Sequence, residues 1–181
     1  MKEQIESLIN QIIDQSDIEV ADIPKIDLYM DQVITLFENA LGNSKRLPED
    51  KLLTKTMINN YTKDKILMPA KNKKYTPEHI VQMALIYHLK QSLLIGDIKN
   101  LFQSTLHQND VELWTVYEKF LNHKKEQSDN IREQIEAQTA SQESKLNQKE
   151  QTLLTILLLI EHANTYKRLA EKLIDQLKNN S

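Results

Sequence analysis

Residues 54–75 combine side chains that can pair with DNA bases and side chains that can hold phosphates. Four polar residues recur at helical spacing and four lysines flank them: Thr56, Asn59, Asn60 and Lys63, with Lys55, Lys71, Lys73 and Lys74. An asparagine amide can form two hydrogen bonds with adenine in the major groove, and a lysine can contact a backbone phosphate. The residue types therefore predict a contact with double-stranded DNA through these eight residues.

Basic residues are concentrated in the same stretch. The net charge of the whole chain is −3, but it is −7 over residues 1–42, +6 over residues 43–75 and −2 over residues 76–181. A basic segment in an otherwise acidic chain is typical of a local contact with a polyanion. The alternative is a solvated surface loop, which is the commoner interpretation of a lysine cluster considered alone.

Residues for other kinds of chemistry are missing. The chain has no cysteine, which excludes disulfides, thiolate metal sites and a cysteine nucleophile. His79 and His88 lie nine residues apart on one predicted helix, not four, and no HExxH, GxSxG or glycine-rich phosphate loop is present. We therefore expect no enzyme activity, no cofactor and no metal, and we interpret the histidines as surface or packed residues.

A short helix and a hairpin are predicted to position the polar residues. Thr54 is a good N-cap for a helix through about Asp64. The other face of that helix would turn towards a core through Met57, Ile58 and Tyr61. Residues 68–75 contain a proline and three lysines, which predict a small hairpin or wing.

Two more helices are predicted after the hairpin. Thr76 and Pro77 form a strong helix start, and the helix to about Lys90 is apolar on most sides. We expect it to be the buried spine of the domain. A last short helix is predicted over residues 95–103.

Helical periodicity also marks the N-terminal part of the chain. An amphipathic helix is predicted over residues 3–15, and a second is predicted from Asp27 to Leu41. Gly42 is predicted to end the second helix as its C′ residue.

The C-terminal part is predicted to be a pair of helices. An aromatic stripe, Trp114, Tyr117 and Phe120, favours core or interface packing over the alternative of a ligand pocket. Residues 127–151 are polar and indicate either an exposed helix or a mobile connection. Residues 153–177 are strongly apolar and predict a homodimer through the C-terminal helices, with packing on the chain's own helices as the alternative.

These patterns together predict an all-α fold with at most a small β wing. The expected organisation is an N-terminal helix in residues 1–24, a winged-helix domain in residues 25–107 and a helical dimerisation or interaction region in residues 108–181. The longest apolar run is well below the roughly 20 residues that span a bilayer, and the N-terminus lacks the features of a signal peptide. We therefore expect no membrane contact and a cytoplasmic location.

Five short motifs occur in a fixed order within residues 54–102: Thr54, Asn59-Asn60-Tyr61, Ile66-Leu67-Met68-Pro69, Lys73-Lys74-Tyr75-Thr76 and Asp97-Ile98-Lys99. This order resembles the DNA-binding domain of the MerR family of bacterial regulators. In that family a recognition helix opens on Ser or Thr and a wing closes before Tyr-Ser/Thr. The chain differs from the family in its 11-residue connection over residues 42–52 and in having Asn59 and Asn60 where the family has Arg and Tyr.

The MerR resemblance implies a winged helix-turn-helix and a sequence-specific transcriptional regulator that dimerises through a helix after its DNA-binding domain. The alternative is a non-enzymatic protein–protein interaction module on the same scaffold. The wider pattern IPKIDLYMDQV…LTKTMINNYTK is similar to an uncharacterised bacterial domain-of-unknown-function family. This similarity indicates relatives of the chain but does not indicate a function.

Overall fold

The computed structural model describes residues 2–106, 111–140 and 146–179. These residues contain seven α-helices and one two-stranded sheet. In chain order the elements are α1 (Lys2–Ile13), β1 (Leu28–Tyr29), α2 (Met30–Leu41), α3 (Lys55–Lys63), β2 (Lys74–Tyr75), α4 (Pro77–Leu89), α5 (Ile95–Leu106), α6 (Leu113–Ala140) and α7 (Gln148–Asn179). The predicted all-α class, with no more than a small β element, is confirmed.

The sheet joins the start of α2 to the end of the predicted hairpin. β1 and β2 are antiparallel, with Leu28 opposite Tyr75 and Tyr29 opposite Lys74. Leu28 and Tyr75 are buried, whereas Tyr29 is exposed. The two strands are short, but they fix the hairpin against the beginning of α2.

α4 is the buried spine of the domain, as predicted. Its buried apolar residues are Ile80, Val81, Met83, Ala84 and Ile86. The same core also contains Ile18 and Ile23 from the segment before β1, and Tyr117 and Leu121 from α6. One core therefore draws on residues 18–121. The division at residues 24 and 107 stays a prediction, and His107 itself lies outside the described residues.

The start of α2 was predicted wrongly. The helix begins at Met30, not near Asp27, because Leu28 and Tyr29 are held in β1. Tyr29 is the N-cap residue, and its backbone N–H donates to Oε1 of Gln32 over 2.8 Å. The pairing of β1 with β2, which lies far along the chain, thus makes α2 shorter than predicted.

α2 ends at Leu41, immediately before Gly42 as predicted, but the role of Gly42 was predicted wrongly, because it is the C-cap residue and not the C′ residue. Gly42 has φ −54° and ψ −34°, so it is not in the left-handed conformation of a C′ glycine. The chain continues into a 3-10 turn, Gly42–Ser44, in which the Ser44 hydroxyl donates to the Leu41 carbonyl over 2.7 Å. A serine side chain therefore satisfies a carbonyl at this helix end.

The long C-terminal helices pack on different partners. α6 contacts α4 and α1, whereas α7 contacts α5 and buries Ile174. Because α6 extends to Ala140, the polar segment that begins at residue 127 is helical and exposed over its first part. Residues 141–145 of that segment lie outside the described part.

A membrane span was not expected, and among the described residues no helix is both long enough and apolar enough to cross a bilayer.

Candidate nucleic-acid interface

α3 turns one continuous polar face to solvent. Its exposed residues cover an arc of about 140° at 3.6 residues per turn; they are Lys55, Thr56, Asn59, Asn60 and Lys63. The opposite side buries Ile58 and Tyr61 in the core. Thr54 caps the helix, and its Oγ1 accepts the Met57 N–H over 3.1 Å. The predicted division of this helix into two faces and its predicted N-cap are both confirmed.

The C-terminal end of α3 is closed by a Schellman motif without glycine. Lys65 has φ 59°, the left-handed conformation, and its N–H donates to the Thr62 carbonyl over 3.1 Å. The Ile66 N–H donates to the Tyr61 carbonyl over 2.8 Å. Ile66 and Tyr61 are both buried, which supplies the apolar contact that usually accompanies this motif. The motif turns the chain sharply away from α3.

Gln82 of α4 holds the turn that follows α3. Its side-chain Nε2 donates to the Ile66 carbonyl over 2.8 Å, and its Oε1 accepts the Met68 N–H over 3.2 Å. The Gln82 side chain is almost fully buried. A single glutamine therefore satisfies two backbone groups that would otherwise lack partners away from water.

His79 of α4 holds the start of the hairpin in a similar way. Its Nδ1 accepts the Thr76 N–H over 3.1 Å, and its Nε2 lies 3.1 Å from the Pro69 carbonyl. These partners require a proton on Nε2, because a carbonyl can only accept. The His79 ring also packs edge-on against Tyr75. His79 and Gln82 together fix the backbone between α3 and the hairpin.

The predicted hairpin is present and ends in a two-residue turn. Lys71 and Lys74 exchange two backbone hydrogen bonds, each 2.9 Å long. Between them Asn72 and Lys73 have φ 52° and 64°, the two positive values of a type I′ turn. Lys71, Asn72 and Lys73 are exposed, so the tip presents two ammonium groups to solvent.

Two of the eight candidate residues meet at the β1–α2 junction. Lys55 Nζ lies 2.7 Å from Oδ1 of Asp31, and Lys74 Nζ lies 5.1 Å from the centroid of the Tyr29 ring. Tyr29 and Asp31 are two residues apart. The junction therefore connects the beginning of α3 with the hairpin. It also gives Lys55 a carboxylate partner, which was not predicted.

The remaining lysines keep their charges uncompensated. Within the described residues Lys63, Lys71 and Lys73 form no ion pair, and all three are exposed. The candidate surface therefore consists of the outer arc of α3 and the hairpin tip, joined through the β1–α2 junction. Its contact with DNA stays a prediction.

The aromatic stripe of α6 divides between core and cavity. Tyr117 is fully buried and its hydroxyl donates to the Ile18 carbonyl over 2.7 Å. Trp114 lies beside a cavity of about 650 Å³, whose lining includes Met68, Gln82, Phe102, Leu113 and Trp114. Phe120 packs against His88 with 4.9 Å between ring centroids. Tyr117 thus takes the packing role that was favoured, whereas Phe120 is 36% exposed and lines a smaller pocket.

His88 is half-buried and lies beside the carboxylate of Asp17. Its Nε2 lies 3.4 Å from Oδ1 of Asp17, and Asp17 also receives two hydrogen bonds from Lys124 Nζ. Burial lowers the pKa of His88, the nearby Asp17 raises it, and Lys124 lowers it further. In the described part of the chain no group of three or more His, Cys, Asp or Glu residues is arranged to hold a metal ion.

The sequence did not predict that the buried side chains of His79 and Gln82 hold the backbone beside this surface. The available signal was two polar side chains on a helix that is otherwise apolar nearly all round. Such positions need buried partners, but the sequence does not show that the partners are the backbone groups of residues 66–69.

The fold and the surface define a small helical domain that carries an exposed polar helix beside a basic hairpin. The family described as "Domain of unknown function (DUF1836)" matches residues 18–120, which is more than half of the chain, and the chain belongs to this family. The predicted likeness to a domain-of-unknown-function family is thereby confirmed. No MerR or other winged-helix family matches. No curated protein and no solved structure matches the chain.

Proposed function

We propose that this protein is a sequence-specific, double-stranded DNA-binding transcriptional regulator that places α3 in the major groove. The observation that carries this proposal is the exposed arc of α3. Two adjacent amides, a threonine and two lysines lie on one side of a helix that is capped at both ends. Such an arc has no packing role within the described chain, and its chemistry matches base edges.

The dimensions of α3 suit this role. Nine residues give a helix about 14 Å long, and the major groove is about 12 Å wide and admits one helix. Asn59 and Asn60 would pair with adenine N6 and N7, and Thr56 would contact a base edge or a thymine methyl group. Lys63 would reach a guanine or a phosphate.

The lysines of the hairpin would supply phosphate contacts. Lys71 and Lys73 project from a rigid two-residue turn, so their ammonium groups stay close to the tip. Lys74 is held over Tyr29, and Lys55 shares its charge with Asp31. We therefore expect Lys71 and Lys73 to contribute more to the electrostatic part of binding than Lys55.

The finer features of the proposal follow from this role. The α3 helix would be the recognition helix and the hairpin the wing of a MerR-like winged helix-turn-helix. A homodimer through the C-terminal helices would place two recognition helices on successive half-sites, about 34 Å apart. The protein would act in the cytoplasm.

Selection of bound sequences from random duplex DNA at near-physiological salt tests the proposal. The full chain should enrich a motif. Asn60→Ala should then weaken binding to that motif by about 1–3 kcal/mol and leave non-specific binding nearly unchanged. Lys73→Ala should instead weaken binding to every sequence and lower the slope of log affinity against log salt by about one.

Asn122→Ala is the matched control, because Asn122 is an exposed asparagine on α6, away from the candidate surface. It should bind like the wild type. Absence of enrichment, with all four proteins indistinguishable, would reject DNA recognition by α3. That result would favour the alternative, an interaction module for other proteins, which is supported by the exposed apolar residues of α7.

A further inference from the structure

Residues 153–160 of α7 are apolar on nearly every side, but most of them are exposed. Seven of the eight residues over 153–160 are leucine or isoleucine, and Thr155 is the exception. A helix that is hydrophobic all round is normally enclosed by other helices. Here Leu153, Leu157 and Ile160 form a ridge with i, i+4, i+7 spacing, and they are 59%, 57% and 55% exposed.

An apolar groove lies beside this ridge. α1, α6 and α7 enclose a volume of about 420 Å³ whose lining includes Ile5, Ile9, Ile12, Ile131, Ile135 and Thr155. The Thr155 hydroxyl donates to the Gln151 carbonyl over 2.9 Å, so its proton is not available to bind water in the groove. The groove is nearly three times the size of an apolar cavity of about 150 Å³ that accepts benzene. It therefore has room for more than one branched aliphatic side chain.

The total surface of the chain is large for its mass. The accessible surface is 12516 Å², whereas a folded monomer of 21.2 kDa has about 9,100 Å² by the usual scaling. The excess is several times the roughly 800 Å² that each partner buries in an interface of standard size. The chain thus exposes enough surface, much of it aliphatic, for a stable dimer.

We propose that a second copy of this chain covers this surface, with the α7 ridge of each copy seated in the groove of the other. Ridge and groove are adjacent, because Ile156 lines the groove and lies three residues after Leu153 and four before Ile160 of the ridge. A two-fold axis beside α7 therefore places the ridge of each copy in the groove of the other, so that the same contact forms twice. This is the arrangement of an isologous interface. A foreign helix in the groove would leave the ridge exposed. Residues 151–160 carry no charge, so this part of α7 adds no like-charge repulsion to the contact.

This pairing does not depend on DNA binding, and its first test is the mass in solution. Light scattering at tens of micromolar should give twice 21.2 kDa for the wild type. Leu157→Lys should raise the dissociation constant at least about 30-fold, as for an interface hot spot. Leu94→Lys, which changes a leucine that is 71% exposed and belongs to neither the ridge nor the groove lining, should remain dimeric. Circular dichroism should show both variants as helical as the wild type.

Cross-linking tests the ridge-in-groove geometry. Because the chain has no cysteine, a tagged Leu157→Cys chain can be mixed with an untagged Ile12→Cys chain and oxidised. A mixed disulfide should form in far higher yield than with Leu94→Cys in place of Leu157→Cys. A monomeric wild type would overturn the proposal and leave the groove to another partner. A dimer without the mixed disulfide would overturn this geometry.

Discussion

Lys65 shows how a single residue can determine the direction of the chain after the candidate recognition helix. Its left-handed backbone lets the Ile66 N–H reach the Tyr61 carbonyl, and this contact ends α3. Glycine is the usual residue in this conformation, because a Cβ atom there costs about 1–2 kcal/mol. Lysine at position 65 is therefore less favourable for the folded state than glycine would be.

Lys65→Gly should stabilise the fold. The loss of the Cβ atom relieves the left-handed strain, while the greater freedom of glycine in the unfolded chain offsets part of the gain. We expect the free energy of unfolding to rise by about 0.5–1 kcal/mol in a denaturant titration. Lys63→Gly, two residues earlier at the last residue of the helix, should lower it by up to about 1 kcal/mol. Equal effects at the two positions would contradict this account of the turn.

At the scale of the elements, α4 acts as the frame that holds α3 and the hairpin. Gln82→Leu keeps the size of the side chain but leaves the Ile66 carbonyl and the Met68 N–H without their partner. We expect it to destabilise the fold by about 2–4 kcal/mol and to speed hydrogen exchange at Met68.

The control for this prediction is Gln91→Leu. Gln91 is exposed just beyond the same helix, and its side-chain amide donates to the Tyr87 carbonyl over 3.0 Å. That variant should stay within about 0.5 kcal/mol of the wild type. If Gln82→Leu were equally mild, the turn after α3 would be held by other contacts.

The same elements show what the sequence could and could not predict. The faces of α3, the Thr54 cap and the spine α4 follow from local periodicity and capping, and they were predicted correctly. The start of α2 was not, because it depends on pairing between Tyr29 and Lys74, which are 45 positions apart. The partners of Gln82 were not visible either, since hydrogen bonds to a turn carry no periodic signal.

For the whole molecule, His88 connects three separate parts of the chain. It belongs to α4, faces Phe120 and Lys124 of α6, and lies beside Asp17 from the segment before β1. Burial and Lys124 lower its pKa, and the opposing effect of Asp17 is smaller than that of burial. The folded state therefore favours the neutral ring.

Acidification should consequently weaken the fold through this residue. As pH falls below about 6.5, the unfolded chain takes up a proton on His88 that the folded state still excludes, so the free energy of unfolding decreases. In His88→Gln this decrease between neutral and mildly acidic pH should be smaller, as measured by urea unfolding at a series of pH values. His123→Gln is the control, because the His123 side chain is 76% exposed. An unchanged pH dependence in His88→Gln would contradict the prediction.

The hydrogen bond from Tyr117 to Ile18 has a consequence for how this domain can be combined with other sequences. Ile18 and Tyr117 lie close to the first and last residues of the family match, so a buried hydrogen bond joins the two ends of the matched unit. A unit whose ends meet can be inserted into a loop of a host protein, or reopened at another loop, with little rearrangement. The exposed connection over residues 45–51, away from that junction, is the natural place for new termini in a circular permutant.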